Sequence, residues 1–390
     1  MPQNFYRNRF TWLAYLMLAF YGYFINVIGP ITPFIKDELH LSYTVSSLHY
    51  SAFAVGILLV GLFGHRMINR IGPRSSLWLG AAGISVGAGL LLVGRTPSVT
   101  IGAALCMGAV GSLILAIVPS ALADQYGEAR ATAISEANMI SSLTSTAAPL
   151  LVGWFARSLL GWRLALEAMV FAPLLMWIFL RKARPPQKTT SADETDHTRQ
   201  ALPARYWVYW LDLVLVVAVE FCMISWSADF LEKGAGMIKA NAAQAVSLFL
   251  AAMIVGRFGI SRVVKASTTT RWLAISILTA GAGFFLYWRS SSLLIILAGL
   301  FLTGLGVAGL YPLIVSLALD ASGGKTIQGS ARATLASGTA ILLLPLTLGR
   351  LADAVGIHQA FGVVAILLTA AFLVTVAASR IVPARHPVVE

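Results

Sequence analysis

Twelve apolar runs, each about long enough to cross a bilayer, dominate this 390-residue sequence. They fall near 10–34, 44–64, 76–94, 98–123, 131–156, 161–180, 206–228, 242–261, 272–288, 292–319, 330–352 and 357–379. A hydrocarbon core about 30 Å thick needs about 20 apolar helical residues per crossing, so the chain has room for all twelve with short connections. Lipid offers no partner to backbone polar groups, which leaves helices or a closed barrel. Barrel strands would alternate over about ten residues, whereas LLIILAGLFLTGLGVAGLYPLIVSLAL at 293–319 is apolar throughout. An all-α, twelve-helix membrane protein is expected. The first run is too long for a signal-peptide core and no small-residue cleavage site follows it, so it is expected to stay in the protein. Composition agrees: 58% of residues are hydrophobic, 11% are charged, and the mean hydropathy is +0.79. A soluble domain is nearer 45–50% apolar and about 25% charged. One soluble core, a disordered chain and a nucleic-acid-binding domain are excluded together, despite a net charge of +12.

The positive charge sorts by loop. Placing both termini on one side collects 20 of the 28 basic residues there, which by the positive-inside rule makes that side the cytoplasm. A multi-pass protein of the cytoplasmic (inner) membrane is the expectation. Cys106 and Cys222 lie in spans four and seven and read as buried small hydrophobes.

A polar stretch at 181–205, rich in charge, Pro, Ser and Thr, reads as a cytoplasmic linker between six-helix bundles at 1–180 and 206–390. The halves echo each other. VGLFG at 60–64 returns as VGRFG at 255–259, ARAT at 129–132 returns at 331–334, and Pro149 with Gly153 returns as Pro345 with Gly349. Their offsets of 195, 202 and 196 fall at equivalent places among the spans, which argues for duplication of a six-helix unit.

On these features, over essentially its whole length, the sequence resembles the major facilitator superfamily. The loop between spans two and three in that family typically reads glycine, three residues, aspartate, arginine, any residue, glycine, arginine, then a basic residue. Here Arg70, Gly72 and Arg74 match, while His65, Asn69 and Pro73 depart. Asn69 is expected to cap a helix terminus in place of the aspartate's ion pair. Gly256, Arg257, Ser261 and Arg262 form the eroded second-half counterpart, and GWR at 161–163 and AP at 148–149 also look like the family. The resemblance implies two pseudo-symmetric bundles enclosing a polar path and exposing it to alternate sides.

Ionisable residues inside a bilayer cost at least about 2.5 kcal/mol on insertion scales, so each one is a site candidate. Glu220, deep in span seven, is the leading one: a carboxyl there can load and release a proton. Asn26 in span one aligns within one residue of Glu220 by the repeat, and is expected to face the same pocket. His49, Asn138, Trp226 and Tyr311 complete the candidate solute and proton site. Glu136, near the cytoplasmic end of span five, is expected to pair with Arg70, Arg130 or Arg332, and with Asn69 and Arg74 these form the candidate gate. Arg163 with Glu167, and Arg350 with Asp353, read as structural pairs near the outer face; Asp212 is expected to reach the interface.

No GxxxxGK[ST], HExxH, GxSxG or CxxC motif occurs, and the six histidines are scattered. Neither enzymatic activity, a cofactor nor a metal is expected. The sequence is read as a secondary transporter, expected to be monomeric, moving a small organic solute by uptake or exchange with the proton as the expected coupling ion. A drug or metabolite exporter is the rival, weakened because span five reads TSTAAPLLVGWF rather than ending in GPxxGG. A lipid flippase or a non-transporting sensor stands further off.

Overall fold

The computed structural model describes residues 6–186, 201–264, 268–323 and 325–380, and among these the secondary structure is helical with no strand. The first half contains α1 (Arg9–Glu38), α2 (Tyr43–Ile71), α3 (Pro73–Val93), α4 (Pro97–Tyr126), α5 (Arg130–Ala156), α6 (Leu164–Val170) and α7 (Ala172–Leu180). The second contains α8 (Ala204–Asp229), α9 (Lys239–Val263), α10 (Thr269–Arg289), α11 (Leu293–Val307), α12 (Leu310–Asp320), α13 (Thr326–Val355), α14 (Ile357–Ala360) and α15 (Gly362–Arg380).

Among the described residues, ten helical stretches are long and apolar enough to cross a membrane. One of them, Pro97–Ala156, joins α4 to α5 through a turn at Gly127, whose φ of +50° favours glycine. The shorter apolar stretch Leu164–Leu180 is interrupted at Phe171, just ahead of Pro173, so α6 and α7 together fill the place of the sixth run. The tenth run is likewise interrupted at Ala308–Gly309, between α11 and α12. Much of the 181–205 linker lies outside the described residues.

Local chemistry sets several ends. Asn8 and Thr11 form a reciprocal capping box at the start of α1, and the Ser42 side chain accepts from the Val45 N–H at the start of α2. Between α2 and α3, Gly72 at φ +86° turns the chain and Pro73 opens the next helix. Asn69 does not cap this junction; its amide meets the His65 ring at 2.8 Å, one turn back on α2.

Within the first bundle α1 packs on α5, and α4 on α2 and α3; within the second α8 packs on α13 and α15, and α11 on α9 and α10. The duplication is visible in the closest crossings. A side chain at Gly108 of α4 would strike the Phe53 carbonyl oxygen of α2 at 2.1 Å, and one at Gly304 of α11 would strike that of Phe249 of α9 at 2.4 Å. Both members of the second contact lie 196 residues beyond those of the first. The bundles meet along α2 with α13, α5 with α9, and α1 with α8.

Candidate functional site

The bundles enclose a cavity of about 1590 Å³ that both of them line. From the first come Tyr21 and Ile25 of α1, Ile57 of α2 and Ser112 of α4; from the second Val217, Glu220 and Phe221 of α8, Arg257 of α9, Tyr311 of α12, and Ser330, Thr334 and Ser337 of α13. Its mouth lies at the linker end, ringed by His65, Asn69 and Arg74, by Asp124 at the end of α4, and by Arg184 and Pro185. Arg74 is held to the start of the linker, where it donates to the Arg181 carbonyl.

Glu220 stands about 24 Å along α8 from its linker-side start, at 1.5 Å per residue. Its carboxylate lies 3.7 Å from the Arg257 guanidinium, within ion-pair range but longer than a hydrogen bond. The Glu220 side chain is 17% exposed and that of Arg257 44%, so the arginine presents much of its surface to the cavity.

Of the candidates named from sequence, Glu220, Tyr311, Asn69 and Arg74 line this cavity. Asn26 does not: its amide turns into the first bundle, donating to the Gly22 carbonyl at 2.9 Å and to Ser145 Oγ at 3.1 Å, and the cavity-facing residue is its neighbour Ile25. His49 is buried between the Ser46 carbonyl and Thr100 Oγ1, each at 2.9 Å. Trp226 is buried and donates to the Pro345 carbonyl at 3.0 Å. Asn138 is exposed and its carbonyl accepts from Ser142.

The candidate gate rearranges as well. Glu136 does not meet Arg70, Arg130 or Arg332. It accepts from Arg7 through both carboxylate oxygens, at 2.8 and 2.5 Å, and from the Tyr15 hydroxyl at 3.0 Å, because α1 and α5 pack side by side. Arg70, Arg130 and Arg332 are exposed and make no ion pair among the described residues. Arg163 passes over Glu167 to Glu38, at 2.9 and 2.5 Å, with Trp162 donating to the same carboxylate. Asp353 accepts from the backbone N–H groups of Tyr43 and Thr44, both at 2.8 Å, and so caps α2 from the opposite bundle rather than pairing with Arg350.

The end remote from the linker is closed by contacts the sequence did not reveal. Lys36, at the end of α1, meets Asp229, at the end of α8, with both side chains buried, and its ammonium lies 3.8 Å over the Tyr43 ring. Lys239 of α9 meets Asp37 and lies 3.7 Å from Glu232. Arg157 donates to Gln244 across the α5–α9 seam, and Ser51 to the Leu342 carbonyl across α2–α13 at 2.9 Å. Each bundle brings matched charge to this network, Lys36 with Asp37 against Asp229 and Glu232 with Lys233 and Lys239, so parting the bundles separates no net charge.

Arg257 is the residue most clearly missed by sequence reasoning. The repeat carried the signal: VGRFG has arginine where VGLFG has Leu62, and the same offset of 195 sets Glu220 against Ile25.

Two helical bundles around a largely apolar cavity that carries one ion pair, open at one end and sealed at the other, define a membrane transporter of small solutes. The model of the Major Facilitator Superfamily matches residues 14–267, and the chain belongs to that family. It is 26% identical over 373 residues to an uncharacterised MFS-type transporter of Yersinia pestis, covering 93% of each chain. It is also 26% identical over 376 residues to a glucose/galactose transporter of Brucella abortus, covering 90% of each. Among solved structures, a bacterial homologue of the human lysosomal transporter Spinster, in an inward-facing and occupied conformation, superposes with a TM-score of 0.75 at 18% identity over 97% of this chain and 99% of that one.

Proposed function

We propose that this protein is a proton-coupled secondary transporter of the cytoplasmic membrane, taking up or exchanging a small polar solute, with both termini in the cytoplasm and Glu220 as the proton-carrying group. The observation that carries the reading is the position of Glu220 in the cavity wall beside Arg257, deep in α8 and facing both the solute path and a cationic partner. A carboxylate that must lose its arginine contact when it is protonated changes the charge and shape of the pocket with one proton. That is the event a coupled carrier needs to link solute binding to rocking. With basic residues concentrated at the linker end, the cavity opens to the cytoplasm and the sealed end faces outward.

The test uses sealed proteoliposomes containing a trapped pH dye, an imposed proton gradient and an external panel of sugars, sugar acids and nucleosides. Solute-dependent acidification is expected for the wild type and is expected to vanish for Glu220→Gln. Acidification by Glu220→Gln equal to that of the wild type would remove Glu220 from the coupling.

A further inference from the structure

Resting on the transporter reading above, we infer that the solute is a small hydroxylated carboxylate, and that Arg257 holds its carboxylate while a proton on Glu220 balances the charge. Three independent observations converge on it. Glu220 and Arg257 are both departures from the repeat at the same offset, charged where the first bundle has Ile25 and Leu62, so the pair belongs to the second bundle alone. A requirement of folding shared by both bundles would be met in both; a requirement of the ligand need be met only once. Second, the guanidinium is engaged at 3.7 Å by a single ion-pair partner among the described residues and remains 44% exposed. Its planar fork of five donors is thus open to the bidentate grip that suits a carboxylate. Third, among the apolar residues of the cavity that holds the pair, Tyr311, Ser330, Thr334 and Ser337 bring hydroxyls from α12 and α13, which suit the hydroxyl groups of a polyol chain and add no second charge.

Charge accounting supplies the coupling. The empty pair is neutral. A carboxylate arriving at Arg257 beside an ionised Glu220 would set two anions on one cation, and one proton on Glu220 restores neutrality. Solute and proton therefore enter together and cross without net charge. The groups facing Glu220 are Arg257 from α9 and Tyr311 from α12; the polar groups that α13 gives the cavity are hydroxyls, and Tyr21 of α1 lines the same cavity from the first bundle. His65, Arg74, Asp124 and Arg184 lie at the mouth.

The experiment is thermal unfolding of the purified full-length protein in detergent, titrated with sodium D-gluconate, sodium L-lactate or D-glucose at two pH values, one acidic and one alkaline. A carboxylate is expected to raise the melting temperature and glucose is not, with tighter apparent binding at acidic pH. Arg257→Gln is expected to weaken that binding about ten- to a hundredfold, as loss of a charged hydrogen-bonded contact does, with Arg257→Lys in between. Glu220→Gln is expected to make the response independent of pH, and His65→Gln to leave the pH dependence in place. The unliganded melting temperatures establish that each variant is folded. The inference is overturned if neither carboxylate shifts the melting temperature, if glucose shifts it as strongly, or if Arg257→Gln responds like the wild type. If glucose drives acidification in the vesicles and Arg257→Gln preserves it, the carboxylate inference fails while coupled transport stands. Binding of gluconate without any acidification keeps the carboxylate site and sinks the coupling.

Discussion

Asp212 shows how a single buried polar side chain in this protein depends on its neighbour. It is fully buried on α8, where Thr375 of α15 donates to Oδ2 at 2.6 Å, while Oδ1 has no hydrogen-bond partner among the described residues. Sequence position near a helix end had placed it at the interface; the packing of α15 against α8 closes that route instead. Thr375→Val removes the one donor and keeps the shape. It is expected to lower stability by about 1–3 kcal/mol, the cost of a buried polar group left unsatisfied, with Thr375→Ser close to the wild type in the same thermal-unfolding measurement. At this scale the sequence was informative about identity and silent about direction. A charged residue in an apolar run stands out wherever it points, so Glu220 was legible. Asn26 stood out for the same reason, but a rotation of one residue around α1 turns it toward Ser145 and gives the cavity to Ile25.

Between helices, α1 and α8 are joined at the end remote from the linker by a buried ion pair, Lys36 with Asp229. Removing one partner of a buried ion pair typically costs about 3–5 kcal/mol, because the other charge is left buried and unpaired. Lys36 and Asp229 are both buried where α1 and α8 meet. Asp229→Asn or Lys36→Met therefore penalises the closed outer end, and the balance is expected to shift toward the state open on that side. In a background in which Cys106 is alanine, a cysteine placed at Tyr43, beside the pair, is expected to react with a membrane-impermeant maleimide faster in the Asp229→Asn protein; equal rates would show that the pair does not govern closure. The helices themselves were readable from apolar run length; the interruptions at Phe171 and at Ala308–Gly309 were not, and only the structure shows them. The Lys36–Asp229 contact was not readable, because the two residues are 193 apart and meet only through the register of two helices in different halves.

The whole molecule is organised by a near two-fold relation that the sequence showed as three short echoes and the structure extends into contacts. At the outer seam, a side chain at Gly153 of α5 would lie 3.1 Å from Gln244 Cβ of α9, and one at Gly349 of α13 would lie 3.1 Å from Ser47 Cβ of α2. The glycines are 196 apart and their partners 197, so both seams are the same contact made twice, once in each direction between the bundles. Small residues at these places let the backbones come close enough to exclude a path for solute. If the bundles rock as rigid bodies, both seams must part together when the outer end opens, and fixing either one must hold the protein in the state seen here. Disulfides need Cβ atoms about 3.5–4.5 Å apart, so both seams must ease slightly to accept one: a Cβ at Gly349 also meets the Tyr43 carbonyl oxygen at 2.8 Å, and one at Gly153 meets that of Ala240 at 2.3 Å, which makes the α13–α2 site the less strained of the two. With Cys106 replaced by alanine, Ser47→Cys with Gly349→Cys, and separately Gly153→Cys with Gln244→Cys, are each expected to lose solute-driven acidification on oxidation and recover it on reduction. The single-cysteine proteins are expected to be insensitive to oxidant. Acidification that persists after either disulfide has formed, verified by loss of free thiol, would mean that the seams open independently and that the duplication is not the hinge of the transport cycle.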